Sequence, residues 1–294
     1  MLSAVICTYN EEKNLKRAVD SVKSFADEIV VVDTESADKT VELAKSLGCK
    51  VFPHKNTGII EPIRNFAVSK AKGEWILLLD ADEEVSKDLA LEIIKIKKKP
   101  QAEFYRVPRQ NIIFGKWIKS DHWWPDYTYR LFKKGTLIWH NEIHSLPEVQ
   151  GTGIDLENHI IHYNYQNISQ YLKKLDIYTD FQSQELITGG FAFSWTDLIT
   201  KPFSEFVTQF FARNGVEDGL HGLALSGLQA FSEFIVYLKI WQYHHFAQRN
   251  ISTQSFKKEL FPLQKELNWW QTENQIKSAD IFKKFYLKIV RKFS

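Results

Sequence analysis

Three times in its first eighty residues the chain runs through four or five consecutive apolar residues and stops on a polar one. These are Ala4-Val5-Ile6-Cys7 before Thr8, Ile29-Val30-Val31-Val32 before Asp33, and Trp75-Ile76-Leu77-Leu78-Leu79 before Asp80. An apolar run without polar alternation is the pattern of a parallel strand buried on both faces. Helical patterns separate the runs. Asn10 offers an N-cap with Glu11 and Glu12 behind it, and Leu15, Ala18, Val19 and Val22 follow at helical spacing. Val41, Ala44 and Leu47 mark a second helix that Gly48 ends, and Lys50-Val51-Phe52 is a third short strand. Arg64 to Lys72 reads as a helix stopped by Gly73, and Ser86 caps another reaching about Lys99. This rhythm predicts a doubly wound, mostly parallel α/β sheet with right-handed crossovers.

From Ala102 to Tyr165 short aromatic strands such as Thr128-Tyr129-Arg130-Leu131-Phe132 predict antiparallel additions to the sheet edge. After Gln166 the pattern is helical, and Lys201-Pro202 opens a Phe-rich helix, since proline suits a first turn. Three segments result: residues 1–165 as the α/β domain, 166–249 as a helical extension and 250–294 as a basic amphipathic tail. Hydrophobic residues at 44% exclude wholesale disorder, and a net charge of +2 argues against wrapping a nucleic-acid backbone. Two cysteines, Cys7 and Cys49, are too few for a disulfide scaffold and fit a reducing, cytoplasmic setting. The N-terminus lacks the basic region and cleavage pattern of a signal peptide. Gly219–Trp241 is interrupted by His221, Gln229, Glu233 and Lys239, so no membrane-spanning helix is expected.

Ligands of open α/β sheets bind beyond the carboxyl ends of the strands. Here those ends carry Thr8-Tyr9-Asn10-Glu11, Asp33-Thr34-Glu35-Ser36 and Asp80-Ala81-Asp82. There is no GxGxxG turn and no GxxxxGK[ST] loop, so phosphate charge must be met another way. Asp80 and Asp82, at i and i+2 after a buried strand, present hard oxygen ligands suited to Mg²⁺ or Mn²⁺ shared with phosphate oxygens. An isolated pair of this kind is more often loop solvation. Its company with Asp33 and Thr8–Glu11 at matching strand ends favours the functional reading.

The residues Val5-Ile6-Cys7-Thr8-Tyr9-Asn10-Glu11-Glu12, Val31-Val32-Asp33-Thr34-Glu35-Ser36-Ala37-Asp38-Lys39-Thr40, Arg64-Asn65 and Leu79-Asp80-Ala81-Asp82-Glu83 resemble family 2 glycosyltransferases of the GT-A fold. The resemblance implies inverting transfer of a sugar from a nucleotide donor, often a UDP-sugar. It implies donor binding by Thr8, Tyr9, Glu11 and Asp33, Arg64 near the donor, and Asp80 and Asp82 at ribose, metal and diphosphate. Phe114-Gly115-Lys116-Trp117 and Trp124-Pro125-Asp126-Tyr127-Thr128-Tyr129-Arg130-Leu131-Phe132, through to Ile143-His144, resemble the branch with lipopolysaccharide-core and cell-envelope glucosyltransferases. That branch implies a catalytic base near Asp126, His144 as a metal or diphosphate histidine, and a cell-envelope glycan or lipid-linked acceptor. Ser145 and Asp121-His122-Trp123 depart from its pattern.

An inverting transfer needs a base to take the acceptor hydroxyl proton. Asp126, Glu142 and His144 are the candidates, with Asp126 preferred because it precedes an apolar strand, although a turn acid after Pro125 has nearly equal standing. Trp124 and Arg130 are candidate acceptor contacts, Arg130 through an acceptor phosphate or else simply pairing with an acid. His140, His159 and His162 show no ligand spacing. Two rivals remain: a sugar-phosphate nucleotidyltransferase, which should carry a Gly-rich basic loop absent from Thr8–Glu11, and a catalytically inactive nucleotide-sugar-binding scaffold.

Beyond residue 165, Phe203, Phe206, Val207, Phe210 and Phe211 share a helical face. From Asn250 to Ser294 nine Lys/Arg stand against four acids, giving +5, while the rest of the chain is −3. There Phe282, Phe285, Tyr286, Ile289, Val290 and Phe293 alternate with Lys283, Lys284, Lys288, Arg291 and Lys292. Such a helix suits either packing on its own domain or peripheral contact with the inner face of the cell membrane.

Overall fold

The computed structural model describes residues 1–58, 60–140 and 146–291. The chain runs β1 (Leu2–Thr8), α1 (Leu15–Val22), β2 (Glu28–Asp33), α2 (Thr40–Ser46), β3 (Lys50–Pro53), α3 (Glu61–Lys70), β4 (Trp75–Asp80), β5 (Glu83–Val85), α4 (Lys87–Lys98), β6 (Phe104–Ile113), β7 (Lys116–Trp117), β8 (Asp126–Lys133), β9 (Leu137–Ile138), β10 (Glu148–Val149), β11 (Gly153–Asp155) and β12 (Ile160–Tyr165). It continues through α5 (Ile168–Thr188), α6 (Asp197–Val207), α7 (Leu220–Tyr243), α8 (Thr253–Ser278) and α9 (Ile281–Arg291). Two compact units divide it: Met1–Ile113 with Trp123–Asn164, and Phe114–His122 with Tyr165–Ser294.

The first unit is a mixed sheet in the order β3-β2-β1-β4-β8-β6-β12-β5. Its β3-β2-β1-β4 half is parallel, as the apolar runs predict, and β8 joins β4 antiparallel, as the aromatic strands predict. Every residue of β1 is buried because helices cover both faces. Ala4 and Ile6 face a layer with Leu15, Val19 and Leu89, whereas Val5 and Cys7 face Ile63, Ala67 and Phe132. Each buried Val, Leu or Ile side chain among them contributes ~1.5–3 kcal/mol on full burial. Gly73 is required by close approach, since a Cβ there would stand 2.5 Å from Ser3 Oγ and 2.7 Å from its backbone nitrogen.

Two local signals in this unit differ from expectation, and a third holds. Asn10 does not cap α1; it adopts φ 56° and its side chain accepts from the Ala37 amide at 2.8 Å, while α1 begins after Asn14. The third helix ends at Lys70, with Ala71 already extended, so Gly73 lies past its end. Ser86 does cap α4, accepting from the Leu89 amide at 3.2 Å.

The second unit is helical. Pro202 lies inside α6 rather than at its start, because Asp197–Lys201 extend the helix N-terminally and Leu198 packs with Val236, Tyr237 and Ile240. A π-helical turn, Thr208–Ala212, continues α6, and Phe206 stacks on Phe210 at 5.6 Å. The Asp218 carboxylate ties down the Phe114–His122 segment by accepting the Ser120 amide at 2.9 Å and the Lys119 amide at 3.0 Å. Among the described residues α7 alone has the length and apolarity to cross a bilayer. In the structure it packs on α5 and α6, and its Lys239 bridges Asp176 at 2.9 Å and Asp180 at 2.6 Å.

Candidate active site

Strand order reverses between β1 and β4, which places the expected crevice at their carboxyl ends. Thr8 pairs in register with Asp33, and Cys7 with Asp80, so the ends of β2, β1 and β4 finish level. Asp33 and Asp80 therefore flank β1 two strand spacings apart, roughly 10 Å. The Thr8 hydroxyl donates to Asp33 Oδ1 at 3.2 Å, and Asp33 Oδ2 accepts the Ser36 amide at 3.0 Å. The Tyr9 ring is exposed beyond the strand. Glu11 is held by its own amide on Thr40 Oγ1 and by Asn14 Nδ2 on its carboxylate, both at 2.8 Å. These bonds join the two loops into one rim.

Asp80 is a centre of ion pairing. Arg130 donates to its Oδ2 at 2.6 Å, and Arg64, from α3, stands 3.4 Å from Oδ1. Burial would raise the Asp80 carboxyl, but the guanidiniums of Arg130 and Arg64 hold it far below the usual carboxylate range. The same Arg130 nitrogen reaches Glu83 Oε1 at 2.6 Å, and Glu83 Oε2 accepts the Asp80 amide at 2.9 Å. Of the two roles open to Arg130 in the sequence, the structure shows pairing with acids: the residue is 2% exposed, and its charge is already matched. Cys7 lies beneath, its thiol pushed up to about 12 by burial, so it offers no thiolate.

Asp82 Oδ2 stands 3.5 Å from His162 Nε2 on β12. Asn111, buried on β6, connects it to Asp126. Its Nδ2 donates to the Trp123 carbonyl at 3.0 Å and to Asp126 Oδ2 at 3.1 Å, which turns its Oδ1 toward His162 Nδ1 at 2.7 Å. A carbonyl can only accept, so the amide orientation is fixed and His162 donates from Nδ1. His162 Nε2, on the other side of the ring, faces the Asp82 carboxylate.

Asp126 opens β8, as its place before an apolar strand predicts. Arg109 reaches its Oδ2 at 2.6 and 2.9 Å. All three of these donors converge on Oδ2, and no hydrogen bond from a described residue reaches Oδ1. Trp124 is half-buried, with its ring edge-on to His159 at 6.1 Å. Glu142 and His144 lie outside the described residues.

Sequence reasoning did not single out Glu83, Arg109 or Asn111, and it set His162 aside as lacking ligand spacing. Glu83 directly follows the acid pair, which was a usable signal; the other three are brought in by strand pairing alone.

Acids level with one another at the switch point of a GT-A-like α/β sheet, backed by arginines, mark the candidate site. The chain belongs to glycosyl transferase family 2, whose model matches residues 3–147. It is 33% identical over 260 residues to an uncharacterized glycosyltransferase of Rickettsia bellii, covering 81% of this chain and 85% of that one. A second such protein, from Rickettsia typhi, is 32% identical over 252 residues, covering 81% and 86%. Among solved structures, S. aureus TarS 1–349 in complex with UDP-GlcNAc matches with a TM-score of 0.46 at 16% identity, over 86% of this chain and 94% of that one.

Proposed function

We propose that the protein is an inverting glycosyltransferase that moves a sugar from a UDP-sugar to a cell-envelope glycan or lipid-linked acceptor with help from a divalent cation. One observation carries the reading: Asn111 hydrogen-bonds both Asp126 and His162, and His162 Nε2 stands 3.5 Å from Asp82, so a candidate base and a candidate cation pair are linked through one buried side chain. Thr8, Tyr9, Glu11 and Asp33 bind nucleobase and ribose. Arg64 faces the diphosphate, and among the described residues its Nε is buried without a hydrogen-bond partner, which suits an incoming anion.

For the cation, Asp82 would supply a hard oxygen donor suited to Mn²⁺ or Mg²⁺, and a His162 nitrogen would tilt the set toward Mn²⁺. Among the described residues no group of three or more His, Cys, Asp or Glu side chains gathers, so phosphate oxygens and water would complete the shell. Asp80, read from the sequence as a ligand, is instead engaged by Arg130 and Arg64 and serves to position them. When bound, the cation supplies neutralising charge for the departing diphosphate.

Asp126 Oδ1 takes the proton of the acceptor hydroxyl as that oxygen attacks the anomeric carbon. The bond to the nucleoside diphosphate breaks on the opposite face, so configuration inverts. Trp124, two residues before Asp126, offers an apolar ring on which an acceptor sugar can stack. The acceptor class is supported by the resemblance of residues 114–144 to envelope glucosyltransferases.

The test is a panel of nucleotide sugars assayed with and without Mn²⁺, followed by NMR of the anomeric linkage. Cation-stimulated transfer from a UDP-sugar with inverted configuration is expected. Retained configuration would overturn the mechanism, and nucleotidyl transfer would favour the rival class.

A further inference from the structure

α9 turns its apolar face to solvent. Ile281 is 82% exposed, Phe282 90%, Phe285 70% and Tyr286 65%, while Leu287, on the opposite side of the helix, is buried. An ordinary surface helix does the reverse, burying its aromatics and leaving lysines outside. Spacing of i, i+1, i+4 and i+5 places these four residues on one face. Large aromatics exposed together cost free energy in water and mark an interaction surface.

The charge of the same helix says what meets it. Ile281–Arg291 contains Lys283, Lys284, Lys288 and Arg291 and no acid. Lys283 and Lys288 are exposed, and Lys284 is half-buried. A second copy docking through this face would bring two such cationic helices together, so self-association is disfavoured. The aromatics project from one convex helix rather than lining a groove, which suits insertion into a soft, planar boundary. Phe and Tyr settle at the headgroup level, and lysines bind anionic headgroups. We infer that α9 docks the protein on the surface of an anionic lipid bilayer, with Ile281, Phe282, Phe285 and Tyr286 inserted and Lys283 and Lys288 against the headgroups. The inference stands apart from the catalytic reading, because lipid binding is measured without donor or acceptor.

The experiment is flotation of the full chain with phosphatidylcholine vesicles, alone or containing about one third phosphatidylglycerol, at about 0.1 M and 0.5 M salt. Binding to the anionic vesicles that fades at high salt is expected, with little binding to the neutral ones. Lys283→Gln/Lys288→Gln should weaken it roughly thirtyfold, and Phe282→Ser/Phe285→Ser by about tenfold or more. Both variants should keep the wild-type melting temperature, since every substituted side chain is exposed. Four results would overturn the inference: no flotation with anionic vesicles, equal binding by wild type and variants, a steep fall in melting temperature on removing the aromatics, or dimerisation that the aromatic variant abolishes. The third would mean that the face packs within the protein. The fourth would assign it to a second copy.

Discussion

Asp82 and His162 face each other across 3.5 Å, one in the turn after β4 and the other on β12. Because Asn111 fixes the His162 ring from its far side, this pair is held before any ligand arrives. Asp82→Asn should therefore reduce cation-stimulated transfer about hundredfold or more, while UDP binding without cation persists. His162→Gln should shift the cation requirement in the same direction. Titrating Mn²⁺ against initial rate, alongside calorimetry of UDP binding, checks both. Unaltered cation activation in the two variants would remove them as ligands.

Asp126→Asn keeps a hydrogen-bonding group opposite Arg109 and Asn111 but deprives Oδ1 of its basicity. A general base contributes ~10²–10⁴ in rate, so turnover should fall by about that much with donor affinity unchanged. Single-turnover kinetics with calorimetry separate the two quantities. Unchanged rates would move the base to Glu142 or His144.

The parallel half of the sheet was legible because β1, β2 and β4 are buried on both faces, and burial on both faces writes an uninterrupted apolar run. Asp33, Asp80 and Asp82 followed from it, since each stands at or just beyond a strand end. His162 was not legible, because what places it beside Asp82 and Asn111 is pairing between distant segments, β12 with β5 on one side and with β6 on the other. Periodicity within a segment carries no register between segments. Asn10 misled for a different reason: an asparagine before acids is a good cap, but it also tolerates positive φ, and here its side-chain bond to the Ala37 amide wins. Pro202 misled because tertiary packing of Leu198 extends α6 past the local signal.

Asn111 touches neither donor nor acceptor in the proposed arrangement, yet it holds both Asp126 and His162. Asn111→Ala should lower kcat about 10–100-fold and leave the donor KM near its wild-type value. A weaker response to Mn²⁺ in the same variant distinguishes positioning from a general loss of stability, which a melting curve would show. Equal loss of kcat and fold stability would make Asn111 merely structural.

Arg130 serves stability as well as geometry. Its guanidinium is buried between Asp80 and Glu83, and Glu83 is fully buried. Removing one partner of a buried pair leaves the others uncompensated, so Arg130→Met should destabilise the fold by about 3–5 kcal/mol. Arg130→Met combined with Glu83→Gln should recover part of that loss. Urea titrations of the two variants give the comparison, and full stability in the single variant would show that the cluster is not needed for folding.

Glu28 links three parts of the sheet's lower edge. Its carboxylate accepts the Ser3 hydroxyl at 2.5 Å, meets Lys50 Nζ at 2.6 Å and also accepts the Lys72 amide. Burial pushes the Glu28 carboxyl up, but the Lys50 ammonium, the Ser3 hydroxyl and the Lys72 amide outweigh it and hold it at about 2, below its ordinary 4.5. A folded-state value below the unfolded one means that the ionised form is favoured by folding. Its contribution is complete above about pH 4.5 and is lost as pH falls toward 2. Lys50 is half-exposed and screened by water, so the contribution at neutral pH is about 2 kcal/mol rather than the whole shift. Glu28→Gln should lower stability by that amount at pH 7, and the gap to wild type should close steadily from pH 4.5 to pH 2. Urea unfolding at several pH values measures the gap directly, and a gap that stays constant across that window would mean Glu28 acts through packing rather than through its charge.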